Sequence, residues 1–134
     1  MKLVLFHQYD QLLAKIREVA RCCARDAAVW KICRVSASNG SVHLHDRAMN
    51  VLSVSGGETR IVVPDFEPER VRQFCLRVTA EGDNTLTFTG AEAFEAADAE
   101  SLLPPSDGQT VIYRFTEIVE DRLYVERMEV GYVN

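Results

Sequence analysis

Two histidines in "HLHD", residues 43–46, are the first side chains in this chain whose type and spacing can hold a ligand. On a strand, residues i and i+2 share a face, so His43 and His45 point the same way, as two metal ligands do. A hairpin turning at Asn39-Gly40 sets Arg34 opposite His45, and Arg47 follows on the same face. Cations beside a ligand pair oppose a metal ion and favour an anion. Arg34, His43, His45 and Arg47 are therefore the candidate set for a small anion or nucleotide, weighed against the plainer expectation of a solvated strand face. No metal site is expected.

A second constellation is acidic. "GAEAFEAADAE" brings Glu92, Glu95, Asp98 and Glu100 close together. Carboxylates at such spacing can do acid–base work or bind calcium, but no third element accompanies them and no calcium-loop spacing is present. They read as a solvated acidic edge, with Glu92, Glu95 and Asp98 as a candidate surface for a basic protein partner. Serine, histidine and aspartate all occur without a nucleophile-elbow sequence. "SGGET" lacks the lysine of a phosphate loop. The expectation is a protein that is not an enzyme and takes no cofactor.

The four cysteines, Cys22, Cys23, Cys33 and Cys75, match neither zinc nor disulfide spacing. Free, buried thiols in a reducing compartment are expected, and with them a cytoplasmic location. No apolar run is long enough to cross a bilayer, so no membrane partner is expected. The opening stretch Met1 to Phe6 is too short for a secretory signal.

The elements that must position these residues follow from periodicity. Leu3 to Phe6 reads as a short strand. Tyr9, Leu12, Leu13, Ile16, Val19, Ala20, Cys23 and Ala27 recur at helical spacing and predict an amphipathic helix over 8–25. Asn39-Gly40 and Gly56-Gly57 between alternating runs predict two hairpins, hence four consecutive antiparallel strands between about 28 and 63. Pro64 ends the run. Pro68 suits the first turn of a helix, and Val71, Phe74, Cys75 and Val78 fall at i, i+3, i+4 and i+7, so a helix is expected over 68–78. "TLTFT", 85–89, alternates as a strand, whereas 91–102 fits helix or strand. "LPPSDG" is a loop, and two long strands joined near Glu120-Asp121 close the chain. Trp30 and Phe74 are expected in the core; Tyr113, Tyr124 and Tyr132 suit a subunit interface. The expected fold is α+β, a single domain over 1–134: an antiparallel sheet with two amphipathic helices on one face and a C-terminal β-hairpin over 106–134.

The charge is uneven. Residues 1–80 hold 12 basic and 8 acidic side chains, and residues 81–134 hold 3 basic and 12 acidic, giving +4 and -9 and the overall -5. Lys15, Arg17, Arg21, Arg25, Arg70, Arg72 and Arg77 fall on the two expected helices. Solvated helix faces explain that plainly; a surface for a polyanion explains it more sharply.

The order of elements, with "MKLVL", "LLAKIREV", "WKICRVSASNGSVHLHD", "IVVP" leading into a helix and "LTFTGAEAF" as a closing hairpin turning at Gly90, resembles one module of a bacterial DNA sliding clamp over residues 1–105. The resemblance makes 91–96 a strand. It implies that Lys15, Arg17, Arg21, Arg25, Arg70, Arg72 and Arg77 face the phosphates of duplex DNA, and that the acidic outer sheet docks partners. Clamp chains carry three such modules and this chain has length for one, so a ring needs a homo-oligomer. The functional expectation is a non-enzymatic binding protein that is clamp-like and contacts DNA. The alternative is an acidic inhibitor or adaptor that binds a protein partner through its C-terminal strands, and a third reading is a small-anion or nucleotide binder.

Overall fold

The structure, a computed structural model, describes Ala14, residues 30–97 and residues 101–132. From residue 30 onward the described chain forms nine strands and no helix: β1 (Lys31–Arg34), β2 (Ser41–His43), β3 (Ala48–Val54), β4 (Gly57–Val62), β5 (Gln73–Ala80), β6 (Asn84–Thr89), β7 (Ala93–Ala96), β8 (Gln109–Val119) and β9 (Arg122–Tyr132). Two sheets share them, one in the order β1-β3-β5-β8-β9-β7 and one in the order β2-β4-β6.

The first six strands alternate between the sheets, and each of the first four pairs in parallel with the strand two places on. Met49 of β3 lies beside Cys75 of β5, and Arg60 of β4 beside Thr87 of β6. The chain thus winds through three coils of a short parallel solenoid. The antiparallel hairpin β8–β9 then extends the larger sheet from β5, and β7 returns to pair in parallel with β9.

Alternation explains which face is buried. Leu52 and Val54 of β3, Phe74, Leu76 and Val78 of β5, and Val111, Tyr113 and Phe115 of β8 point inward against Val42, Ile61 and Leu86 of the smaller sheet. Phe74 and Phe115 stack with centroids 4.7 Å apart, and the Phe88 ring meets Tyr113 edge-on at 5.4 Å. Fully buried, side chains of this size contribute about 1.5–3 kcal/mol each by removal from water. Asn50 is a polar residue fully buried on the inner face of β3. Its amide donates to the carbonyls of His45 and Cys75 and accepts from the His45 N–H, so its burial is compensated and the 44–47 turn is tied to β3.

These observations correct the expected fold class. From residue 30 onward the described chain is all-β, not α+β with two helices packed on a sheet. The helix expected over 68–78 is replaced by β5, the central strand between β3 and β8. Val71, Phe74, Cys75 and Val78 sit at helical spacing, but Phe74, Leu76, Val78 and Ala80 also alternate on the inner face, and Cys75, buried on the opposite face two residues before the exposed Arg77, completes the helical pattern without belonging to a helix.

The four strands expected as antiparallel hairpins exist, yet β1 and β2, like β3 and β4, lie in different sheets. At Asn39-Gly40, with φ of 54° and 78°, Ser38 and Ser41 exchange two backbone hydrogen bonds, and the ladder ends there. The turns bond to neighbouring coils instead: the Arg60 N–H donates to the Gly40 carbonyl at 2.8 Å, and the Gly57 N–H to Asp83 at 3.2 Å. The closing hairpin expected at Gly90 is likewise a crossing from β6 to β7 between sheets. Gly90 has φ 105°, and a Cβ there would fall 2.9 Å from Val63 Cγ2.

Residues 91–102, open to helix or strand from their pattern, contain strand β7 at Ala93–Ala96, and the long strands meeting at Glu120-Asp121 are where alternation puts them. The expected strand over 3–6 and all of the expected helix over 8–25 except Ala14 lie outside the described residues, as do Lys15, Arg17, Arg21 and Arg25. Among the described residues no helix is long and apolar enough to cross a membrane.

Candidate docking clefts beside the β4–β5 connection

"VPDFEPERVR", residues 63–72, carries the chain from β4 back to β5. Two prolines keep it out of both ladders, and it turns on itself where the Arg70 N–H donates to the Glu67 carbonyl at 3.1 Å. Arg72 anchors its end. That side chain is 2% exposed, and its guanidinium meets Glu117 Oε2 at 2.9 Å and Asp121 Oδ1 at 3.0 Å. It also donates to the carbonyls of Pro64 and Gly90, and lies 5.6 Å from the centre of the Phe66 ring.

Glu117 completes the lock by accepting the Arg72 N–H at 2.9 Å and the Asp121 N–H at 2.8 Å. One buried ion pair therefore staples the connection to the turn of the β8–β9 hairpin. A planar, permanently charged guanidinium suits this multiple contact; a lysine ammonium could not span it. Of the Arg72 nitrogens, Nε is the one without a hydrogen-bond partner.

A cleft lies on each side of the turn. The first, about 340 Å³, runs between the connection and the hairpin tip, with Phe66, Pro68, Val71, Ile118 and Val119 on its walls and Glu120 at its rim. Val71 and Val119 are 49% and 58% exposed, values shared by Ile32, Leu103 and Val130, and this pair faces a cleft. The second, about 300 Å³, is bounded by His45, Asp46, Pro64, Asp65 and Arg72. Glu67 and Arg70 line both, and their side chains form a bridge at 3.7 Å with both partners about 60% exposed. Asp46 is held in place because its Oδ1 accepts the N–H groups of Arg47 and Gln73 at 3.0 Å. Arg47 is occupied by Gln73 Oε1 at 2.7 Å and the Val71 carbonyl at 3.2 Å.

The residues expected to form an anion site are dispersed. Arg34 lies beside Val51 in the larger sheet and His43 beside Val62 in the smaller one, while His45 borders the second cleft. Of the arginines expected on a helix facing DNA, Arg72 is buried and spent on Glu117 and Asp121, Arg70 is exposed beside Glu67, and Arg77 is exposed on the outer face of the larger sheet between Val51 and Ile112. Glu92 and Glu95 are exposed on and beside β7, where Glu95 meets Arg122 at 3.3 Å; Asp98 lies outside the described residues. No group of three or more histidines, cysteines and acids is placed to hold a metal among the described residues.

Tyr113 is a core residue, not an interface one. Its hydroxyl donates to the Leu103 carbonyl, which also accepts from Arg127 Nε at 3.0 Å. Burial pushes the phenol up to about 12, against the opposing pull of the Arg127 hydrogen bond and charge.

Sequence reasoning did not find Glu117, Val71 and Val119 as site residues. The one available signal was an arginine-rich loop and an acid-rich hairpin tip in a single chain, and nothing local pairs residues 45 positions apart. Comparison of the chain with family models, with curated proteins and with solved structures finds no match.

Proposed function

We propose that this chain is a non-enzymatic adaptor that docks a protein partner in the cleft between residues 66–71 and the 118–120 hairpin tip. The observation that carries this is the pair Val71 and Val119, two exposed aliphatic side chains on walls held together by the buried Arg72–Glu117 pair. Aliphatic area left in water on a preorganised frame binds at low ordering cost. The tip belongs to the C-terminal strands, the part of the chain from which the adaptor alternative takes its docking surface.

The DNA-facing alternative has less to stand on, because the helix it needs at 68–78 is strand β5 and Arg72 is enclosed. A photo-crosslinking residue placed at Val119, compared with one at Arg60 on the smaller sheet, tests the proposal in cells that express the protein. A discrete protein adduct at 119 that is missing at 60 is the expected outcome. Adducts to nucleic acid, or equal labelling at both positions, overturn it.

A further inference from the structure

Resting on that docking reading, we infer that the two clefts are two subsites of one track for an extended basic peptide. The first subsite takes an aliphatic side chain and the second takes a lysine or arginine. The clefts share Glu67 and Arg70, so a chain that fills both must cross that pair.

Their lining is complementary to such a peptide. The first cleft offers Val71, Val119 and Ile118 with Glu69 and Glu120 at its margin. The second offers Asp46 and Asp65, with Glu67 between the two. Arg72 lines the second cleft, but its charge is neutralised inside the protein by Glu117 and Asp121. Arg70 is then the one exposed arginine in the track, and it stands against Glu67 at 3.7 Å with 61% of its side chain exposed. Arg70 therefore acts as an internal competitor for the incoming cation. An exposed bridge at that distance is weak, so a ligand lysine or arginine can replace it at little cost. Displacement gives an unusual sign: removing a cation from the binding site strengthens the binding of a cation.

The experiment uses the full chain and two fluorescein-labelled, end-blocked peptides. One contains Leu-Leu-Gly-Gly-Lys-Lys, and the other has glutamines in place of the lysines. Fluorescence anisotropy at low salt is expected to give about fivefold or greater preference for the lysine peptide, fading as salt screens the charges. Asp65→Asn is expected to remove most of that preference and leave the glutamine peptide unaffected. Arg70→Ala is expected to tighten the lysine peptide severalfold and leave the other alone. Arg70→Ala weakening the lysine peptide, or Asp65→Asn leaving the preference intact, overturns the inference. Equal binding of both peptides, abolished by Val119→Asp, overturns it too while leaving the docking cleft standing. No binding of either peptide, with no adduct at 119, overturns both.

Discussion

Arg70 and Arg72 stand two residues apart on one connection and have opposite fates. Arg72 is inside, with two carboxylates at 2.9 and 3.0 Å and two backbone carbonyls completing its shell. Arg70 is outside, with one carboxylate at 3.7 Å that shares it with water. The side chains are chemically identical, so environment alone sets the difference. Buried charge makes the partner indispensable, since either member left alone is an uncompensated ion in a medium of low polarity. Exposed charge leaves the pair replaceable, which suits a binding surface. The same stretch therefore builds a rigid frame with one arginine and an adjustable surface with the other.

The sharpest way to break this contrast is Arg72→Met. It strands Glu117 without its counterion and is expected to cost about 3–5 kcal/mol in urea unfolding. A loss below about 1 kcal/mol would mean that the ion pair is not the staple described here. Adding Glu117→Leu should recover only part of the loss. It removes the stranded charge, but the backbone N–H groups at 72 and 121 still lose their acceptor.

A second buried polar group tests the same principle through pH. Tyr113 titrates near 12 when folded and near 10 when unfolded. Below pH 10 both states keep the proton, so this group adds no pH dependence there. Between pH 10 and about 12 the unfolded state gives up the proton first, and stability falls by on the order of 2–3 kcal/mol. Ultraviolet titration of the phenols should show one late tyrosine that Tyr113→Phe removes; a single early transition for all of them contradicts the enclosed hydroxyl. The smallest effect is expected for Arg70→Ala, within about 0.5 kcal/mol in the same unfolding assay. A larger loss would move Arg70 to the structural side of the comparison.

Much of the local structure was legible. Strands at 31–34, 57–62 and 84–89, positive φ at Asn39-Gly40 and Gly56-Gly57, and the long hairpin turning at Glu120-Asp121 follow from alternation and turn chemistry, which act within a few residues. The candidate site was less legible. Arg70 and Arg72 were singled out as cations, but their division into surface and core was not visible, because Glu117 approaches Arg72 from across the fold.

Outside β5 and β7, what the amino-acid sequence determined by itself was therefore where the chain runs straight, where it turns and which side of a strand is apolar, since these depend on near neighbours. The partner of each strand was decided only by the tertiary structure. A turn with positive φ between two alternating runs serves a hairpin and an arch between sheets equally well. The choice fell to the arch at both early turns, where each strand hydrogen-bonds to the next coil and its apolar face packs against the other sheet. The same packing turned residues 73–80 from a helical pattern into the central strand, and it brought Glu117 to Arg72.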